Sequence, residues 1–208
     1  MALVYIIEEK PKIFELTKKI LRVKNGENNI FLYGDADFSF DIKKYLTDNN
    51  ALIFKHVGAG SSRPHETPIL FRHSVLYGRE DPAPTDKNGK PDIDLAVLGE
   101  YRNNLDISAF GNVRAVLMNI ENSRGISCPD KNTQIITCGL KQKNTAVFSS
   151  INLDEGTVIL DMQRSVKNIY GETTEPFEKQ IFIPEAVRKE SSEDLILSLT
   201  ALVFCGRL

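Results

Sequence analysis

Asn29–Leu46, NIFLYGDADFSFDIKKYL, is the stretch whose reading decides the fold. Ile30, Phe31, Leu32 and Tyr33 form a short apolar run of strand character. Gly34 opens a turn. Phe38, Ile42, Tyr45 and Leu46 then recur at helical spacing, which predicts an amphipathic helix. Strand, glycine turn and helix is the layout in which the first N–H groups of a helix hold a phosphate. A phosphate loop of that kind carries glycines followed by Lys and Ser/Thr. Here the turn is Gly34-Asp35-Ala36-Asp37-Phe38-Ser39-Phe40, with two carboxylates and no lysine. Phosphate oxygens would meet Asp35 and Asp37 as like charges, a repulsion that grows as water is excluded. The architecture of a phosphate site is therefore expected here without its chemistry.

Toward the N-terminus, Ala2–Ile7 (ALVYII) predicts a strand, and Pro11 opens a helix with a stripe of Ile13, Phe14, Leu16, Ile20, Leu21 and Val23. Lys18, Lys19, Arg22 and Lys24 complement the negative end of that helix, and Asn25-Gly26 ends it. After Met1, ALVYIIEEK has only six apolar residues in a row and no basic flank precedes them, so it reads as a buried strand rather than a secretory leader. Toward the C-terminus, Ala51–Val57 is the next strand. The tract from Gly58 to Pro91 is rich in Gly, Pro, Ser and charge, and is expected to be a mobile excursion. Asp92–Glu100, Val113–Ile120 and Thr133–Cys138 then read as strands of a parallel sheet. Thr145–Ile151, Thr157–Met162 and Gln180–Ile183 read as antiparallel strands, the first two joined by an Asp154-Glu155-Gly156 turn. Ser191 or Ser192 caps a last helix, with Glu193 and Asp194 in its first turn. The expected fold is α/β: a mostly parallel, Rossmann-like or P-loop-like sheet flanked by helices, with a small antiparallel extension, in one domain over residues 1–208.

The chain has 208 residues, 41% hydrophobic and 26% charged, enough for a sizeable core. A net charge of −2 gives no footprint for nucleic acid, and no apolar run reaches the roughly 18 residues of a membrane span. Cys128, Cys138 and Cys205 form no C-x-x-C pair, which suits free thiols in a cytoplasm and argues against a zinc site. His56, Arg63, His65, Arg72 and His73 gather in the loop region at spacings that match no zinc pattern, and Cys128 has no nearby histidine. Gly58-Ala59-Gly60-Ser61-Ser62-Arg63 follows a strand but precedes no helix, which leaves it a weak anion cradle.

The order of these segments resembles the central, ATP-binding domain of the Mur ligase superfamily, which includes peptidoglycan amide ligases and folylpolyglutamate synthases. The family's phosphate loop is G-T-x-G-K-[ST]-T. Laid on residues 34–40, its first Gly falls on Gly34, its Lys on Phe38 and its Ser/Thr on Ser39; only Gly34 and Ser39 fit. The strand ending in the family's metal-binding Glu is matched by DLAVLGE, which supplies Glu100. Ala115–Ile120, AVLMNI, is similar to the strand before the family's Asp-His pair, but Glu121-Asn122-Ser123-Arg124 follows instead. Gln134–Leu140 resembles the strand that introduces the family's small antiparallel sheet, and SLTALVFCGRL resembles its closing helix. The short interval from Asn119 to Thr133 implies a deleted strand–helix unit, and the resemblance is expected to extend over the central domain without the family's ligase domain.

The resemblance, with its lysine replaced by Phe38, implies a non-catalytic relative that binds a small ligand or a protein partner, with no cofactor expected. Its candidate ligand-binding residues are Gly34, Asp35, Asp37, Ser39, Glu100, Arg102, Asn119 and Asn122, at expected strand carboxyl ends. The alternatives are a metal-dependent enzyme using Asp35, Asp37 and Glu100, whose hard oxygens suit Mg²⁺, and nucleotide binding without hydrolysis through Gly34 and Ser39. The final helix carries apolar side chains on more than one face, so a homo-oligomer or protein partner is expected to cover it.

Overall fold

A computed structural model describes residues 2–8, 12–24, 30–33, 52–58, 92–100, 105–107, 112–121, 126–127 and 131–207. Its main sheet has nine strands: β1 (Ala2–Glu8), β2 (Ile30–Tyr33), β3 (Leu52–Gly58), β4 (Leu95–Leu98), β5 (Ala115–Asn119), β6 (Gln134–Gly139), β7 (Ala146–Asn152), β8 (Thr157–Met162) and β9 (Phe177–Phe182). The spatial order is β2-β3-β1-β4-β5-β6-β7-β8-β9. From β2 through β7 every pairing is parallel; β8 and β9 add antiparallel pairs. The expected α/β class is what the structure shows. The antiparallel part is a continuation of the main sheet, because β7 pairs with β6 on one side and β8 on the other.

Alternation along the strands divides the core in two. Val4, Ile6, Leu95, Val97, Ala115, Leu117, Ile136 and Cys138 face a layer made of α1 (Lys12–Lys24) and α2 (Ser192–Phe204). Ile7, Ala96, Leu98 and Val116 are also buried and, by the period of two, lie on the opposite face. Strands buried on both faces read as continuous apolar runs, which is why LAVL and AVLMN carry so few polar residues.

α1 forms where its stripe requires: Ile13, Phe14, Leu16, Ile20 and Leu21 are all buried. α2 begins at Ser191, whose side chain accepts the Asp194 N–H at 3.1 Å, leaving Glu193 and Asp194 at the positive end of the dipole. From Leu195 to Leu202 every α2 residue is buried, with the sheet beneath and α1 alongside. The covering that so apolar a helix needs is thus found within the chain.

Two expectations need correction. Asp92–Glu100 and Val113–Ile120 are not unbroken strands. Asp92-Ile93 pairs with Asn112-Val113, the ladder bends at Asp94 and Arg114, and β4 and β5 resume beyond. The last strand runs over Phe177–Phe182 rather than starting at Gln180. The β7–β8 turn is as expected. Gly156 closes it at φ +70°, and the guanidinium of Arg188 lies where a side chain would project, donating to Ile183 O at 3.2 Å and Asp154 O at 3.3 Å. Of the excursion expected from Gly58 to Pro91 only Gly58, the end of β3, is described; the rest of it, the helix after Gly34 and Cys128 lie outside the described residues.

Candidate functional site

β1, β4, β5 and β6 point their carboxyl ends the same way, and an open parallel sheet offers a ligand site there. Glu100 lies just past β4 and is exposed. Its carboxylate accepts from Lys12 Nζ at 3.2 Å, tying the start of α1 to this end of the sheet. With the side chains 54% and 67% exposed, the pair contributes at most about 1 kcal/mol. Asn119, the last residue of β5, is only 6% exposed. Its Oδ1 accepts the Glu121 N–H at 3.0 Å, an Asx-type turn that ends the strand. Glu121 in turn pairs with Lys141 Nζ at 2.6 Å, beyond the end of β6.

Asn144 joins this cluster and was not foreseen. It is fully buried, and its Nδ2 donates to Lys141 O at 2.9 Å. Gly139 makes room for it: a Cβ there would stand 2.8 Å from Asn144 Nδ2 and 3.5 Å from Asn119 Oδ1. In KQKNTAV nothing distinguishes this asparagine from an ordinary turn residue; only the packing of Gly139 against it does.

Glu100 and Asn119 are the two expected site residues that the structure describes. They close neighbouring strands but engage different partners. Gly34, Asp35, Asp37, Ser39, Arg102 and Asn122 lie outside the described residues. The end of β2, which leads to Gly34, is separated from β4 by β3 and β1. Three strand spacings amount to about 14 Å. Any meeting of Asp35 or Asp37 with Glu100 has to cross that distance.

A cleft among the described residues opens at the other end of the sheet, at the amino ends of β4, β5 and β6. It has a volume of about 360 Å³, with Asp94, Arg114, Thr133, Gln134, Lys167 and Phe204 in its walls. Asp94 and Arg114 are the two bend residues, and Arg114 Nη1 donates to Asp94 Oδ1 at 2.8 Å. Thr133 Oγ1 donates to Val113 O at 2.9 Å, fixing the entry to β6. Gln134 behaves like a strand neighbour of the 166–172 segment. Its Oε1 accepts the Lys167 N–H at 3.0 Å, and its Nε2 donates to Lys167 O at 3.2 Å. Ile169 N–H donates to Phe204 O at 3.3 Å and so closes the cleft against the end of α2.

A signal for this cleft was present in the sequence. DIDLAVL and NVRAVL each carry one charge immediately before an apolar run, of opposite sign. Only the parallel pairing sets those charges side by side.

The described residues hold little that is reactive. Burial pushes the thiols of Cys138 and Cys205 far up from their ordinary range, so neither offers a thiolate. Among the described residues no three His, Cys, Asp or Glu side chains gather as metal ligands. Nor is any helix among them long and apolar enough to cross a membrane. No protein-family model matches the chain, and no curated protein matches it in sequence.

Proposed function

We propose that the chain is a non-catalytic α/β binding module, a degenerate relative of the Mur ligase central domain, that acts by holding a small ligand. One observation carries this reading. At the carboxyl ends of β4 and β5, Glu100 is taken up by Lys12, and Asn119 and Glu121 by the turn and Lys141. Groups engaged this way do not converge on a reacting atom, whereas the cleft at the amino ends is open and polar. Phe38 in place of the phosphate-loop lysine removes the main cation of a phosphoryl-transfer site. Free, buried Cys138 and Cys205 fit action in the reducing cytoplasm.

The test is ATP turnover with Mg²⁺. The purified protein is expected to match a blank. Hydrolysis that Ser39→Ala abolishes would overturn the reading. Binding of a protein partner or a second copy is the second reading, favoured by Phe182. This side chain is 70% exposed on β9, which pairs only with β8 among the described residues. Sedimentation at micromolar concentration separates the two: a monomer supports the small-ligand reading, and a complex weakened by Phe182→Ser supports the other.

A further inference from the structure

We propose that the cleft at the amino ends of β4, β5 and β6 is an anion site, taking the phosphate or carboxylate group of a small organic acid. The proposal rests on the reading of the chain as a binding module and names the ligand class. Three observations point to an anion. First, the charged residues that line it are Asp94, Arg114 and Lys167, one acid against two bases. Asp94 is already answered by Arg114 at 2.8 Å, so the uncompensated charge is positive. Second, Lys167 is exposed, and its ammonium makes no ion pair among the described residues. Its backbone, by contrast, is held at both N–H and C=O by Gln134. The cation therefore extends from a fixed main chain, which lowers the ordering cost of using it. Third, the negative end of α2, which besides Asp94 would attract a cation, is capped. Phe204 O already accepts the Ile169 N–H.

Size narrows the class further. About 360 Å³ falls within the range of small-molecule sites, roughly 300–1,000 Å³. Arg114 suits an oxyanion in a second way. Its planar fork presents five N–H donors, of which Nη1 is used on Asp94, and the guanidinium is 56% exposed. An anion seated between Lys167 and Arg114 would meet the carboxamides of Asn112 and Asn132 on the same walls.

The experiment is an NMR titration of the full chain with inorganic phosphate in one arm and succinate in the other, at constant ionic strength. The expected result is saturable shifts of the Thr133, Gln134, Lys167 and Asn168 amides in at least one arm. The arm that saturates at lower concentration identifies the group. Lys167→Gln should weaken that binding about tenfold or more, the loss expected for a charge-assisted contact. Lys189→Gln, which removes an exposed lysine away from the cleft, should leave it unchanged. Lys167 does not pack in the core, so its variant keeps the fold, and an unchanged amide spectrum outside the cleft verifies this. Absence of saturable binding at millimolar probe in both arms would overturn the proposal. So would shifts spread over surface lysines that Lys167→Gln does not reduce. Either failure concerns the cleft alone, while the reading as a non-catalytic module stands or falls on ATP turnover.

Discussion

Truncating Leu199 tests whether α2 is completed within one chain. Leu199 is fully buried in the layer between the sheet and α1. Leu199→Ala removes three carbons, worth about 2.4 kcal/mol of transfer free energy at ~0.8 each. Tight packing keeps the site from collapsing, which adds a cavity term and brings the expected cost to about 3–4 kcal/mol. For a chain of this size each kcal/mol shifts Tm by about 2–4 °C, so the midpoint should fall by roughly 6–16 °C. Calorimetry or circular dichroism over a hundredfold range of protein concentration is the assay. Both wild type and variant should melt at midpoints independent of concentration, because the helix is covered by its own chain. A loss below about 1 kcal/mol, or a midpoint that climbs with concentration and still does so in Phe182→Ser, would refute the assignment of α2 to an intramolecular core.

Two further outcomes follow from the described geometry. The folded state holds both buried thiols protonated, while in the unfolded chain they ionise as pH rises through their ordinary value of 9.0. The unfolded state then binds fewer protons, so stability is full below that pH and falls above it, by about 1.4 kcal/mol per unit for each thiol. Urea titrations at several alkaline pH values, repeated with Cys138→Ala, should show the variant's slope reduced. Gly156→Ala forces a left-handed residue and displaces Arg188, which should cost about 1–3 kcal/mol. Equal stability of wild type and variant in denaturant would contradict the turn as described.

The strands were legible in the sequence because their signal is local. ALVYII, IFLY and TVILDM are recognisable from side-chain type and period alone, and so is the Ser191 cap from the residues after it. Their order was not. Nothing in Ile30–Tyr33 reveals that it lies at the end of the described strand order while Ala2–Glu8 sits between β3 and β4. That arrangement depends on pairings far apart in sequence. The same limit explains the site. Glu100 and Asn119 were found because they end apolar runs, but an Asx turn and a lysine partner appear only once neighbouring strands are in place. The apolar faces of α2 show a related limit: composition says that a helix must be covered but not by what, and here α1, distant in sequence, lies against it.

The position of β1 also bears on the route by which the chain folds. From β4 to β9 each strand pairs with its neighbour in sequence, so those loops are short. Ala96 meets Val116, and Ala115 meets Gln134. β1 instead closes on β4 through Val4 and Leu95, a loop more than four times longer, and on β3 through Ala2 and Leu52. Two doublings of loop length add about 1.2 kcal/mol of closure entropy. Low contact order favours early pairing. The C-terminal half is thus poised to assemble as a nucleus, and β1 is inserted into it late. Pulsed hydrogen exchange during refolding would record this as protection of Val116, Ile136 and Leu160 ahead of Val4 and Ile6.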